Sequence, residues 1–148
     1  MEFSGEYIFD TSREIVWRGL NSPTVLSAAI PGCERLSDEG DGLFSAHLRL
    51  KFGLLSFRTR GVLRLEIIDD ARSYRLHGQS GKTIFGSGGG IADVSLSDGQ
   101  KGGTKLTFHV TAKLEGKLAK IGEAVLAGQM QNLGVVFFER LERAMLEE

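Results

Sequence analysis

The chain has 148 residues, 41% hydrophobic and 25% charged, with 18 basic and 19 acidic side chains and a net charge of −1. A domain of this length can hold a core without metal or disulfide staples, and the single cysteine, Cys33, excludes an internal disulfide. The balanced charge argues against wholesale nucleic-acid binding, no apolar run approaches the roughly 20 residues of a membrane-spanning helix, and MEFSGEYIFD lacks the basic and apolar regions of a secretory signal, which predicts a cytoplasmic protein.

No linker, low-complexity tract or solenoid-spaced repeat interrupts the chain, which predicts one domain over residues 1–148. Residues 2–10 alternate as a strand, with Phe3, Gly5, Tyr7 and Phe9 on one face. DTSREIVWRGLNSP follows as a helix. Thr11 or Ser12 is its cap, Glu14 stands near a capping-box position, and Ile15, Val16, Trp17 and Leu20 form its apolar side. Pro23 opens a second short helix carrying Val25, Leu26 and Ile30, which Pro31-Gly32 stops.

From Cys33 to Leu114 the pattern is strands. Residues 43–52 set Phe44, Ala46, Leu48, Leu50 and Phe52 against Ser45, His47, Arg49 and Lys51, and Gly53 makes the turn. Residues 55–68 set Leu55, Phe57, Thr59, Leu63, Leu65 and Ile67 against Arg58, Arg60, Arg64 and Glu66. Residues 73–81, 90–96 and 104–114 continue the alternation, with Tyr74, Leu76, Gly78, Ala92, Val94, Leu106, Phe108 and Val110 on the apolar side. Such alternation means antiparallel strands with one wet face.

The last third reads as one helix over about residues 116–146, with Leu118, Ile121, Val125, Leu126, Met130, Leu133, Phe137, Leu141 and Met145 at three- and four-residue spacing. Gly122, Gly128 and Gly134 inside it each cost about 1 kcal/mol relative to alanine. They predict thin points, for backbone approach or for space beside the helix.

Strand, two short helices, about six more strands and a long helix pack most economically as an α+β helix-grip fold. A curved antiparallel sheet wraps around the C-terminal helix, and the two short helices close one end. The order resembles the START/Bet v1-like, polyketide cyclase-like superfamily. Specific segments are similar to the G-subunit family of carbon monoxide dehydrogenase. These are Phe3-x-Gly5-x-Tyr7, Arg13-Glu14-x-Val16-Trp17 with Leu20-Asn21-x-Pro23, Ile30-Pro31-Gly32-Cys33-Glu34, Gly86-x-Gly88-x-Gly90-x-Ala92-x-Val94 and Gly116-Lys117-Leu118-Ala119. The resemblance spans essentially the whole chain. It implies a non-enzymatic accessory protein of a molybdenum hydroxylase of the carbon monoxide or xanthine dehydrogenase type. It also implies membrane association, at the inner face, and a lipophilic ligand such as a quinone in the grip cavity, with no other cofactor. Some members continue into a tail and an anchoring helix. The sequence stops at Glu148 without one, which predicts no permanent anchor.

The expected cavity takes Phe44, Leu48, Phe57, Thr59, Leu63, Tyr74 and Leu76 from the first strands of the sheet. Phe108 and Val110 come from its last strand, and Leu126, Met130, Leu133 and Phe137 from the helix. The same residues also read as a filled core. Thr59 and Tyr74 are the polar groups among them, which suits a lipid or quinone better than a charged metabolite. Arg49, Lys51, Arg58, Arg60 and Arg64 share the outer face of one hairpin, as a solvated surface or as a docking stripe for anionic headgroups or an acidic partner. The loop Gly53-Leu54-Leu55 exposes apolar residues that could dip into lipid, gate the pocket or form a buried turn.

Other chemistry is weak in the sequence. Gly86-Ser87-Gly88-Gly89-Gly90 lacks the lysine and helix of a phosphate cradle and reads as a bulge or bent strand. His47, His77 and His109 fall on wet faces without metal-ligand spacing. Cys33 reads as a small packed group at a corner. No inward carboxylate or histidine pair suggests a hydrolase or cyclase.

Overall fold

In a computed structural model, residues 1–148 are described except Gly53, Gly122 and Glu148, and except the side chains of Phe52, Leu55, Glu123, Ala124 and Leu126. The expected Gly53 turn, the Leu55 side chain at that tip, the Gly122 thin point and the Leu126 cavity contact lie outside the described residues.

The elements are β1 (Glu2–Phe9), α1 (Arg13–Leu20), α2 (Pro23–Ala29), β2 (Cys33–Gly40), β3 (Leu43–Phe52), β4 (Leu55–Asp69), β5 (Ser73–Ser80), β6 (Ser87–Asp98), β7 (Thr104–Glu115) and α3 (Glu123–Leu146). The strands form one curved antiparallel sheet in the order β1-β7-β6-β5-β4-β3-β2. Period-two alternation sets its faces, as on β1, where even residues are exposed and odd ones turn inward up to the fully buried Phe9.

The short helices close one end. Val16, Leu20, Val25 and Ala29 pack with Phe9, Tyr74, Val94, Leu96 and Leu106 from the sheet, and with Phe138, Leu141 and Met145 from α3. Ser22 caps α2, its hydroxyl accepting from the Val25 amide, and Pro23 fills the first helical position. Thr104 is fully buried, its hydroxyl donating to the Thr11 carbonyl at 2.6 Å and fixing the entry to α1.

Five expectations are corrected. The capping box does not form: Ser12 occupies the cap position without a side-chain bond, and Glu14 is the second helical residue, one short of the reciprocal spacing. Ile15 is exposed, on the outer side of α1. Ile67 is 53% exposed, next to a register shift between Ile67 and Asp69 that takes the strand end off the core. The long helix does not begin at Gly116. Gly116 adopts φ +73°, residues Gly116–Lys120 form a 3-10 turn, and the Leu118 amide donates to the Phe85 carbonyl at 2.8 Å. Leu118 is thereby held in a second apolar cluster with Met1, Leu50, Phe57, Phe85, Leu114, Ile121 and Met130. Val125 is 57% exposed rather than part of the stripe.

Candidate functional site

The two apolar clusters lie at opposite ends of the sheet, and the inner face between them is built from small residues. One row runs Ala112, Gly90, Gly78, Leu63, Phe44 across β7, β6, β5, β4 and β3. The next row toward the helical end includes Ala92, and the next toward the other end includes Gly61 and Ala46. These small residues sit among large neighbours: a Cβ on Gly78 would stand 3.3 Å from Leu63 and one on Gly61 3.3 Å from Leu48.

The inward stripe of α3 also carries a small residue. Gly134 lies four residues after Met130 and seven before Leu141, in the middle of the inward stripe. A Cβ built on Gly134 meets nothing within 4 Å. Ala127, near the same helical face, is exposed. The C-terminal half of α3 is anchored by Phe138, Leu141 and Met145, and Met130 in its N-terminal half belongs to the second cluster. No backbone approaches Gly134 or Gly128, the latter on the solvent side, so close approach does not explain these glycines.

The expected cavity residues divide accordingly. Phe44 and Tyr74 are 5% exposed and belong to filled core. Leu76, Phe108 and Phe137 pack against the helical-end cluster, and Phe57 and Met130 against the other. Phe108 lies over Gly5, where a Cβ would stand 2.7 Å from its ring. Leu48, Leu63, Val110 and Leu133 are half-buried.

Tyr74 meets Trp17 edge-on at 5.6 Å, and burial drives its phenol pKa well above the ordinary value. Its hydroxyl has no hydrogen-bond partner among the described residues. Tyr7 stacks on Phe138 and donates to Glu142 at 3.3 Å; burial, then the neighbouring Glu142 charge, raises its pKa. Gln129 escaped sequence reasoning: its Oε1 is buried and unpartnered among the described residues.

Thr59 is not in the interior. It lines a cleft of about 440 Å³ at the edge of β4, with Glu34, His47, Leu48, Arg58, Arg60, Gly81, Lys82 and Thr83. Its hydroxyl donates to the carbonyls of Arg60 and Gly81, each at 3.4 Å. Arg49, Lys51, Arg58, Arg60 and Arg64 are all exposed on the outer face. Arg49 sits opposite Arg58, and Arg58 is tied to Glu34 at 3.0 Å. Arg64 lies apart, opposite Leu43 at the other end of the hairpin.

The remaining motifs are structural. Ser87–Gly90 is regular strand without a register shift, so the expected bulge is absent there. Gly86 is obligatory: φ is +115° and a Cβ would overlap the Glu115 carbonyl at 1.9 Å. His77 faces Glu66 at 3.1 Å, and His109 faces Ser4 and Glu2. Arg75 bonds Asp93 at 2.7 Å, which lowers the Asp93 pKa. Among the described residues no group of three or more His, Cys, Asp and Glu is arranged for a metal. Cys33 opens β2, its amide donating to the Ile30 carbonyl. No helix among the described residues is long and apolar enough to cross a membrane.

Comparison with known proteins agrees with this architecture. A conserved protein from Geobacillus kaustophilus superposes with a TM-score of 0.92 at 23% identity, covering 99% of this chain and 96% of that one. Ara h 8.0201 superposes at 0.69 with 16% identity, covering 100% and 99%. An aromatase/cyclase from a Streptomyces species superposes at 0.65 with 12% identity, covering 98% and 93%. These are similarities of fold, the START/Bet v1-like helix grip. No curated protein matches the chain in sequence. The family model for the carbon monoxide dehydrogenase G-subunit (CoxG) matches residues 5–145, and the chain belongs to that family.

Proposed function

We propose that this member of the CoxG family binds a quinone- or lipid-like molecule between the sheet and α3. In that role it serves a carbon monoxide or xanthine dehydrogenase-type molybdenum hydroxylase at the inner membrane face, as a non-enzymatic accessory protein. The observations that carry the reading are that a Cβ at Gly134, on the inward stripe of α3, would meet nothing within 4 Å, and that the inner face of the sheet carries the small residues Ala112, Gly90 and Gly78. The residues of the inward stripe are mostly apolar, and Gln129 Oε1 on the same helix is buried and unpartnered among the described residues. An apolar slot with one or two orienting groups favours a lipophile over a charged metabolite, because an unpaired buried charge costs far more than methylenes gain. A quinone already dissolved in lipid transfers into such a slot at nearly neutral free energy per unit area, so exchange is favoured over storage.

Native mass spectrometry of the purified protein, followed by organic extraction, tests this. A stoichiometric isoprenoid quinone or lipid supports it. A clean apo protein that also refuses added quinone overturns it. The second reading is a surface-acting assembly or recruitment factor without a ligand, favoured by the exposed Arg49, Lys51, Arg58, Arg60 and Arg64. Charge reversal of Arg58 and Arg60 then abolishes partner or membrane binding and leaves any ligand binding intact. Among the described residues no inward acid–base pair supports the cyclase reading.

A further inference from the structure

Antiparallel connections put alternate turns at alternate ends of a sheet. The β3–β4 turn, the β5–β6 connection and the β7–α3 connection therefore share one end. They are joined there: the Phe57 and Phe85 rings lie 5.2 Å apart, and Leu118 bonds the Phe85 carbonyl. The hairpin projects beyond its neighbours, because β2 pairs with β3 only as far as Leu48 and β5 pairs with β4 only from Gly61.

Aliphatic side chains stand out from this end. Leu54 is 105% exposed and Ile84 83%. Exposed cations surround them: Arg49, Lys51, Arg58 and Arg60 on the hairpin, Lys82 beside Ile84, and Lys117 and Lys120 on the 3-10 turn. The opposite end carries Asp38, Glu39 and Asp41 at the β2–β3 turn, Asp69 and Asp70 at the β4–β5 turn and Asp98 before the β6–β7 turn, together with Arg72, Lys101 and Arg13, which is bonded to Asp98. The hairpin end is the more basic pole, with Glu34, tied to Arg58, and Glu115 as the acids among its cations.

We infer that the basic pole docks on an anionic lipid bilayer, with Leu54 and Ile84 entering the interface. This deepens, and rests on, the membrane contact proposed above, and it moves that contact from the outer face to the end of the molecule. The chemistry selects lipid over an acidic protein. Protein interfaces are depleted of lysine and centre on packed aromatics. Here isolated aliphatic tips project through a ring of lysine and arginine, the arrangement of interfacial anchors.

Sedimentation with phosphatidylcholine vesicles, with and without about 30% phosphatidylglycerol, tests this at low and high salt. The wild type is expected to bind only the anionic vesicles and to release in high salt. The double variant Leu54→Asp, Ile84→Asp is expected to bind at least about tenfold more weakly. Lys117→Glu with Lys120→Glu is expected to do the same, and Arg72→Glu at the β4–β5 turn of the opposite end to bind as wild type. Unchanged unfolding temperatures show that the variants fold. If the wild type ignores anionic vesicles at low salt, the membrane reading fails altogether. If the wild type binds and the Leu54/Ile84 variant binds equally, this pole is not the docking surface while membrane contact stands. Retained quenching of Trp17 by a short-chain quinone in the vesicle-defective variants keeps the interior site separate from either failure.

Discussion

Replacing Gly134 by leucine separates a filled core from an empty one. In a filled core the added side chain clashes and destabilises the fold, typically by 1–3 kcal/mol. Here a Cβ at Gly134 meets nothing within 4 Å. Leucine recovers about 0.8–1 kcal/mol of helix propensity and roughly 1 kcal/mol from partial burial of its apolar surface. The sum, about 2 kcal/mol, raises Tm by about 4–8 °C in a chain of this size. The same four carbons displace about four methylenes of any ligand, near 3 kcal/mol or roughly a hundredfold in affinity. Stability and binding therefore move in opposite directions. Thermal unfolding gives the first quantity. Quenching of the single tryptophan, Trp17, by a short-chain quinone gives the second. Gly128→Leu, on the solvent side, is the control, expected to stabilise slightly and leave binding alone. A destabilised Gly134→Leu protein would falsify the space. A stabilised one that still binds quinone normally would show that the space is not the ligand site.

Three further outcomes follow from the core. Tyr7 and Tyr74, the only tyrosines, both have raised pKa values, burial being the first cause in each. The unfolded chain thus loses these protons first as pH rises past about 10, stability falls there, and Tyr74→Phe removes part of the loss; absorbance titration that shows either phenolate at its ordinary pH refutes the burial. Thr104→Val leaves the buried Thr11 carbonyl short of its donor and costs about 1–3 kcal/mol in denaturant unfolding, whereas a neutral result means the 2.6 Å bond is not formed. Gly86→Ala forces a Cβ into the Glu115 carbonyl and is expected to yield little folded protein; normal expression and Tm contradict the +115° φ.

The faces of the sheet were legible because one wet face imposes period two: the inward residues of β3, β5 and β7 are where alternation predicts. The start of α3 was not, because Leu118 and Ile121 continue the helical spacing while Gly116 breaks the backbone. Phe138 was passed over for the same reason. The spacing Leu133, Phe137, Leu141 reads as the stripe, yet Phe138 is the one that closes against Tyr7, Phe9 and Phe108. The candidate site was half legible. Large apolar residues such as Phe44 and Tyr74 mark where the interior is filled. Small ones such as Gly78, Gly90 and Gly134 mark where it is open, and a pattern of hydrophobicity does not weigh them. The pairing that sets Gly90 beside both Gly78 and Ala112 is long-range register, which no local window contains.

The bare row beneath Gly134 also bears on the lifetime of the molecule. Empty apolar volume withholds burial that the rest of the fold must do without, at about 24 cal/mol per Å³ of residual cavity. A bound lipophile supplies the missing contacts, and at a hundred times its dissociation constant it adds about 2.7 kcal/mol to the folded state by mass action. Under such linkage, loaded and unloaded molecules differ in how often they unfold and how fast a protease clears them. The population that survives is then weighted toward carriers that hold something.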